Sequence, residues 1–345
     1  KFYSGNTGIF YKDKLYKFNS ATDLLTFKPL ALIDRIRCGI LMAFCKTIPF
    51  ELQSLATIPA ENSIKKISGM KVFTTIWQPL LKGKFDTFAR NVPALWLWAR
   101  IKDRSLKLGY FDGSTKVLFE ALTRRIEKNK GTLLTGVTIE KVAKTKSGIT
   151  ISVEAKKMDF DKVLFTTVSP VTAAICKDIL PAKLVSSLQK KDHLGAVCVI
   201  VELKKKVQDL YWISVCDINS PVLVVVEHTN LISPKKYGGR HIMYLANYIH
   251  YSRDDFNLPE AKIIRAYTGF LKTLNSEFDE SWILSAKLVR VPRTQSIFHT
   301  HALEAMPPLQ LDENIYMANI DHMYPHDRNL NLGTELGERV ANLIS

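Results

Sequence analysis

The sequence predicts a mixed α/β protein of the α+β kind, and three observations lead there. Residues 114–130 keep a helical apolar repeat that stops at Gly131 and passes into strand-like runs. Residues 196–291 hold a series of strand-like runs with one helical segment among them. Residues 314–344 pass from a short apolar strand through a polar loop into a helix, which completes an α/β layer.

The 345 residues, 46% hydrophobic and 23% charged, suit two or three modules with a sizeable core and exclude disorder as the main state. The longest run free of Asp, Glu, Lys and Arg spans 163–176, is interrupted by Pro170, and falls short of the ~20 apolar residues of a spanning helix. Cys38, Cys45, Cys176, Cys198 and Cys216 form no C-x-x-C pair and lie in apolar contexts, which points to reduced thiols and a cytoplasmic setting. The chain opens on Lys1 with no signal-peptide pattern, so its natural start is expected upstream.

The net charge of +15 is unevenly spread: residues 1–130 hold 23 basic and 10 acidic side chains, and the remainder hold 25 and 23. Such a bias is expected of a surface that meets phosphate, anionic lipid or a phosphorylated substrate, and equally of a solvated basic face. No nucleic-acid motif accompanies it. Phe73, Trp77, Trp96 and Trp98 read as core rather than as base-stacking platforms, and nucleic acid is not an expected partner.

In chain order, residues 29–46 form an amphipathic helix with Ile33, Ile36, Ile40 and Phe44 at steps of three and four and Pro29 near its first turn. Residues 50–104 continue a basic helical block. The helix at 114–130 carries Leu118, Leu122 and Ile126 on one face and a cationic last turn that suits the negative end of its dipole. Strands are expected at 132–142, 149–155 and 162–168, then at 196–203, 211–216, 222–229 and 241–249. A helix at 259–274 buries Ile263, Ile264, Tyr267 and Leu271, and a strand at 283–291 follows. The tail runs through a strand at 314–320, a polar loop at 321–331 and a helix from about Leu332, with Gly333 and Gly337 on one face. The unpaired N–H groups at that helix start form a natural anion or carbonyl-oxygen site.

Motif searches exclude as much as they suggest. There is no G-x-G-x-x-G and no G-x-S-x-G. His299 with His301, and His322 with His326, lack partnering ligands at metal-site spacing and read as ordinary polar histidines, so no metal is expected. Glu227, at the end of an apolar strand beside His228, reads either as an acid or base with a raised pKa or as a strand-end salt bridge.

Three segments together resemble the flavin-containing amine oxidase, protoporphyrinogen oxidase and phytoene desaturase superfamily. They are LGYFDGSTKVLFEALTRRIEKNKGTLLTGVTIEKV at 108–142, DKVLFTTVSP at 161–170, and NIYMANIDHMYPHDRNLNLGTELGERVANLI at 314–344. The resemblance implies an FAD-binding Rossmann-like domain lacking its N-terminal βαβ unit, with an inserted mixed-sheet substrate domain and a helical block. Its segments would be 1–105 (substrate-domain start and helical block), 106–192 (FAD-binding), 193–304 (mixed-sheet substrate domain) and 305–345 (FAD-binding, C-terminal).

The resemblance also implies that Val137 meets the adenine of FAD and that the strand end with Thr166, Ser169 and Pro170 returns toward the cofactor. Asp327, Arg328, Asn331, Leu332 and Gly333 would approach the pyrophosphate, the ribityl chain and the N1/O2 edge of the flavin ring. The expected activity is an FAD-dependent oxidoreductase taking a hydride from a lipid-like or sugar-linked small-molecule substrate, with Tyr211, Trp212, Glu227 and Tyr244 lining its cavity. The catalytic residues are left unassigned. The alternatives are a non-redox flavoenzyme resembling the nucleotide-sugar mutases, or a cofactor-free protein that docks on an anionic membrane surface through the basic helices. Peripheral attachment at the inner face of a membrane is compatible with either enzyme.

Overall fold

The computed structural model describes residues 1–48, 53–105, 107–146, 148–154 and 156–345; Phe50 and Ala155, which bound two of the expected segments, lie outside them. In chain order, three strands β1 (Phe2–Tyr3), β2 (Thr7–Tyr11) and β3 (Lys14–Lys17) lead into helices α1 (Ala21–Leu25), α2 (Leu32–Thr47), α3 (Ala60–Val72), α4 (Gln78–Phe85) and α5 (Ala94–Lys102). Strand β4 (Leu108–Gly109), which pairs with β1, and helix α6 (Ser114–Lys128) precede an antiparallel sheet of β5 (Ile139–Lys144), β6 (Ile149–Val153) and β7 (Lys156–Phe160). Then come β8 (Val163–Phe165), α7 (Ser169–Ile175) and α8 (Ala182–Gln189).

Strands β9 (His193–Leu203), β10 (Trp212–Val215), β11 (Val224–Glu227) and β12 (His241–Ile249), helices α9 (Glu260–Gly269) and α10 (Leu271–Leu274), and β13 (Ile283–Ser296) form the middle of the chain. Strands β14 (Gln310–Asp312) and β15 (Ile315–Met317) and helix α11 (Leu330–Ile344) end it.

The main sheet has the order β13-β9-β12-β11-β10-β2-β3, so the N-terminal hairpin completes a sheet built from residues near 200–296. Its two faces are unlike. Val197, Val199, Val201 and Leu203 of β9, Met243 and Leu245 of β12, and Ile213 and Val215 of β10 pack against Ile263, Tyr267 and Leu271 of the covering helices. The alternate residues stand half-buried on the other face, as the two-residue period of a strand requires. The helical block covers part of that second face: Leu194 is buried with the α2–α5 core, and Ile9 and Cys216 are buried against Phe27, Cys38, Val72 and Ile76.

A smaller sheet places β15 between β14 and β8, with β8 parallel to it. Thus the expected strands at 162–168 and 314–320 are neighbours, although shorter than their sequence patterns. Residues 132–138 form no strand, because no described segment pairs with them, and the antiparallel sheet begins at Ile139.

Two helices depart from expectation in their facing. On α2 the buried residues are Cys38, Leu41 and Cys45, while Ile33, Ile36 and Ile40 point outward; Pro29 lies before the Ala31 cap, outside the first turn. Helix α6 has no buried residue, so its Leu122 and Ile126 meet no core among the described residues. Helix α9 does bury Ile263 and Tyr267, as its repeat predicts.

The facing of α2 is testable by stability. Leu41→Ala is expected to cost roughly 2–5 kcal/mol, because a side chain 1% exposed leaves a cavity. Ile40→Ala, one position along but outward, is expected to change stability by no more than about 0.5 kcal/mol. Urea unfolding midpoints of the two variants would reverse in order if the helix were turned the other way.

Candidate active site

The tail strand runs into a buried polar knot centred on Asp321, a residue that the sequence reading passed over. Ser169 donates to Asp321 Oδ2 from both its backbone N–H and its hydroxyl. Ser296 Oγ donates to Oδ1 at 2.6 Å, and His193 Nε2 lies 2.9 Å from the same oxygen. The other ring nitrogen of His193 faces the Lys191 carbonyl at 3.0 Å, so the ring is held from both sides.

Asn319 caps the turn, accepting from Asp321 N at 2.9 Å and donating from Nδ2 to Thr167 O at 2.7 Å. Burial alone would raise the Asp321 carboxyl, but the bond and charge of His193 and the bonds from the two serines outweigh it and bring it down to about 2. The one available signal was a carboxylate directly after the apolar run IYMANI.

Beyond the knot, the loop leading to α11 joins the helical block to the sheet. The Asp327 carboxylate takes Trp96 Nε1 at 3.1 Å and pairs with Lys84 and Arg100, both at 3.3 Å. Arg328 donates to Gln295 Oε1 at 2.6 Å and to the Tyr248 hydroxyl at 3.1 Å, and Lys84 also donates to Gln295 Oε1 at 3.1 Å. Lys84 and Arg100 therefore share the carboxylate of Asp327, and Arg328 adds a third cation held by Gln295 and Tyr248. Burial lowers the Lys84 pKa against the pull of Asp327. For the Tyr248 phenol, burial acts upward but is outweighed by Lys84 and Arg328, leaving it below its ordinary value.

Helix α11 begins two residues earlier than its sequence pattern, with Asn329 as its cap; Asn329 Oδ1 accepts from Leu332 N at 2.9 Å. The N–H groups of Leu330 and Asn331 have no partner within the helix. A side chain at Gly337 would meet nothing within 4 Å, and one at Gly333 would meet only Met323, so this face stands open at its first turns.

The half-covered face of the main sheet supplies a floor. Trp212, Val226, Tyr244 and Ile200 stand in one cross-strand row, and Ser214, Val224, Ala246, Cys198 and Val289 in the next. Tyr248 and Ala196 begin the third. Aromatic rings at Trp212, Tyr244 and Tyr248 thus bracket a strip of small or apolar side chains, and the third row ends on the Lys84–Arg328 cluster.

The sequence-assigned residues divide accordingly. Trp212 and Tyr244 share the half-covered face. Tyr211 is buried, with its hydroxyl 3.2 Å from that of Tyr110, and burial pushes its phenol up. Glu227 lies on the opposite face, fully buried, accepting from Val207 N, Gln208 N and Gln208 Nε2 at 3.0, 3.0 and 3.1 Å. Burial pushes it up to about 7 against these donors. Among the described residues its hydrogen-bond partners are these donors, through which it ties down the loop before β10.

Ser169 is buried in the Asp321 knot, Pro170 is half-buried beside it, and Thr166, Val137, Asn331 and Gly333 are exposed, with Leu332 half-buried. The side chains of Asp327 and Arg328 are turned into the cation cluster. The four histidines considered as ligands have other neighbours: His299 pairs with Asp192, His301 with Glu304, His326 with Asp103, and His322 accepts from Asn319 N.

No family model and no curated protein matches the sequence. Solved structures do match. A protein assigned as a protoporphyrinogen oxidase from Exiguobacterium sp. 255-15 aligns with 99% of this chain and 80% of its own at TM-score 0.74 and 10% identity. Cyclohexylamine oxidase from Brevibacterium oxydans IH-35A aligns with 100% and 82% at TM-score 0.70 and 10% identity. The chain shares the fold of these solved oxidases. A reduced UDP-galactopyranose mutase also aligns, over 89% of this chain and 68% of its own, at TM-score 0.64 and 11% identity.

The Asp321 knot makes a pH prediction. With a folded pKa near 2 and an ordinary value of 3.8, the unfolded chain binds more protons between those values, so stability from this group is complete above about pH 4 and lost as pH falls through 2. Thermal unfolding from pH 6 to pH 2 is expected to cost the parent protein about 2 kcal/mol more than Asp321→Asn.

Proposed function

We propose that this protein is an FAD-dependent oxidoreductase that takes a hydride from a lipid-like substrate lying on the half-covered face of the main sheet. The observation that carries this reading is the tail: in an amine oxidase fold, a strand leads through the Asp321 knot to an open helix start beside an excess of positive charge. FAD, when bound, supplies a two-electron acceptor whose reduction adds negative charge.

The residues present fit that group. Leu330 and Asn331 offer unpartnered N–H groups, and Gly333 leaves room for a ring system to come close to the helix backbone. Lys84, Arg100 and Arg328 outnumber Asp327, so the corner favours an added negative charge. Val137 and Thr166 are exposed and available for the rest of the cofactor, while Ser169, Pro170 and Asp327 act by fixing the corner rather than by contact. On the substrate side, Trp212, Tyr244 and Tyr248 would orient an apolar body over Ala246, Cys198 and Val224, and the buried underside of the sheet holds that floor rigid.

Visible flavin absorption of the purified protein, or its uptake of added FAD, tests the reading; a colourless protein that takes up none overturns it. A mutase-like reaction separates from an oxidoreductase by stoichiometry, since only the latter consumes an electron acceptor at each turnover. Arg328→Met is expected to lower the midpoint potential of the bound flavin by roughly 30 mV, about 1.4 kcal/mol for two electrons, in a reductive titration.

A further inference from the structure

Helix α2 carries two apolar faces, and only one of them is covered. Cys38, Leu41 and Cys45 pack inward. On the opposite side Leu32, Ile33, Ile36 and Ile40 are 60, 57, 45 and 54% exposed, a stripe at helical spacing along more than two turns. Met70 on the adjoining helix α3 is 59% exposed, and the Arg37 guanidinium lies 3.5 Å from where a side chain at Gly69 would begin. The stripe and Met70 therefore belong to one surface. A continuous exposed apolar patch of this kind marks an interaction site.

The charges around it say what kind. Lys28 and Arg37 are exposed beside the stripe, and Lys66 and Lys71 are exposed on α3, which packs against α2. Glu61 is already paired with Lys65 at 3.3 Å, which leaves Asp34, among the described residues of α2 and α3, against Lys28, Arg37, Lys66 and Lys71. Isoleucines ringed by cations complement a surface that is apolar within and anionic at its edge. Among the described residues no helix is long and apolar enough to cross a membrane, and an apolar stripe flanked by cations is the pattern of a helix that lies in an interface. The underside of α2 is anchored in the protein core, and Arg35 fixes its start by donating to the Leu25 and Leu30 carbonyls, both at 2.7 Å.

We propose that α2 is a membrane-docking helix whose outer isoleucine stripe enters the headgroup boundary of an anionic lipid surface while Arg37, Lys66 and Lys71 meet the phosphates. This stands apart from the flavin reading and needs no cofactor. Because the same helical block covers part of the half-buried sheet face, docking would bring that face close to a lipid reservoir.

The test is co-sedimentation of the full chain with vesicles of phosphatidylcholine alone and of phosphatidylcholine with phosphatidylglycerol. Binding to the anionic vesicles is expected, weakened by high salt. The double variant Ile36→Glu, Ile40→Glu is expected to lower the partition coefficient roughly tenfold or more. Arg37→Gln with Lys66→Gln and Lys71→Gln should lose the preference for phosphatidylglycerol. These positions are exposed, so unfolding midpoints should stay with the parent's and certify that the variants fold.

Leu122→Glu, on the other exposed apolar helix α6, should bind as the parent does; equal loss there moves docking to α6 and overturns the assignment. Failure of the parent to bind anionic vesicles, or undiminished binding by the isoleucine variant, overturns it as well. So does a dimer in light scattering that the isoleucine variant dissociates without any vesicle binding, which would give the stripe to a second copy of the chain.

Discussion

A buried carboxylate has to be surrounded by donors, and the way Asp321 meets that requirement organises the molecule. Its partners come from the start of α7, the first residue of β9 and the last residue of β13. These segments are far apart in the chain, and an ionised group held 4% exposed tolerates no slack among them. The small mixed sheet and the large sheet are thereby locked together at one corner. The place where the tail loop and α11 begin follows from that lock.

Once the corner is fixed, the charge distribution around it acquires a direction. The 327–328 dipeptide reaches across from the tail to the helical block and to the sheet, using Asp327 for the first and Arg328 for the second. Lys84 lies between them, losing hydration to burial yet held by Asp327 and the Gln295 carbonyl oxygen. The result is a positive corner at one edge of an aromatic-walled floor. Clustered cations of this kind favour an electron-rich or anionic group brought close to them.

Much of this was legible in the amino-acid order. The alternation in AVCVIVEL and HIMYLANYI announced strands because two-residue periodicity needs no partner to be visible. The helix of residues 330–344 was visible from its repeat and polar approach, within two residues at its start. Which face of a helix is covered was not legible. Ile33, Ile36 and Ile40 form as good a stripe as Cys38, Leu41 and Cys45, and only the neighbours decide between them. The hairpin of residues 7–17 escaped for a related reason, since its pairing with β10 is made across some two hundred residues of sequence.

The sequence by itself determined the helical block, strands β9 to β13 of the main sheet, the basic bias of the first third, and the strand, loop and helix of the tail. Local periodicity and charge depend only on near neighbours along the chain. Tertiary structure alone decided that Asp321 is the keystone carboxylate and that Glu227 serves a loop rather than a cavity. It also decided that Asp327 and Arg328 turn inward, and that one apolar stripe of α2 is left facing outward. Burial and hydrogen-bond partnership are properties of segments brought together from a distance, and a linear order of residues does not contain them.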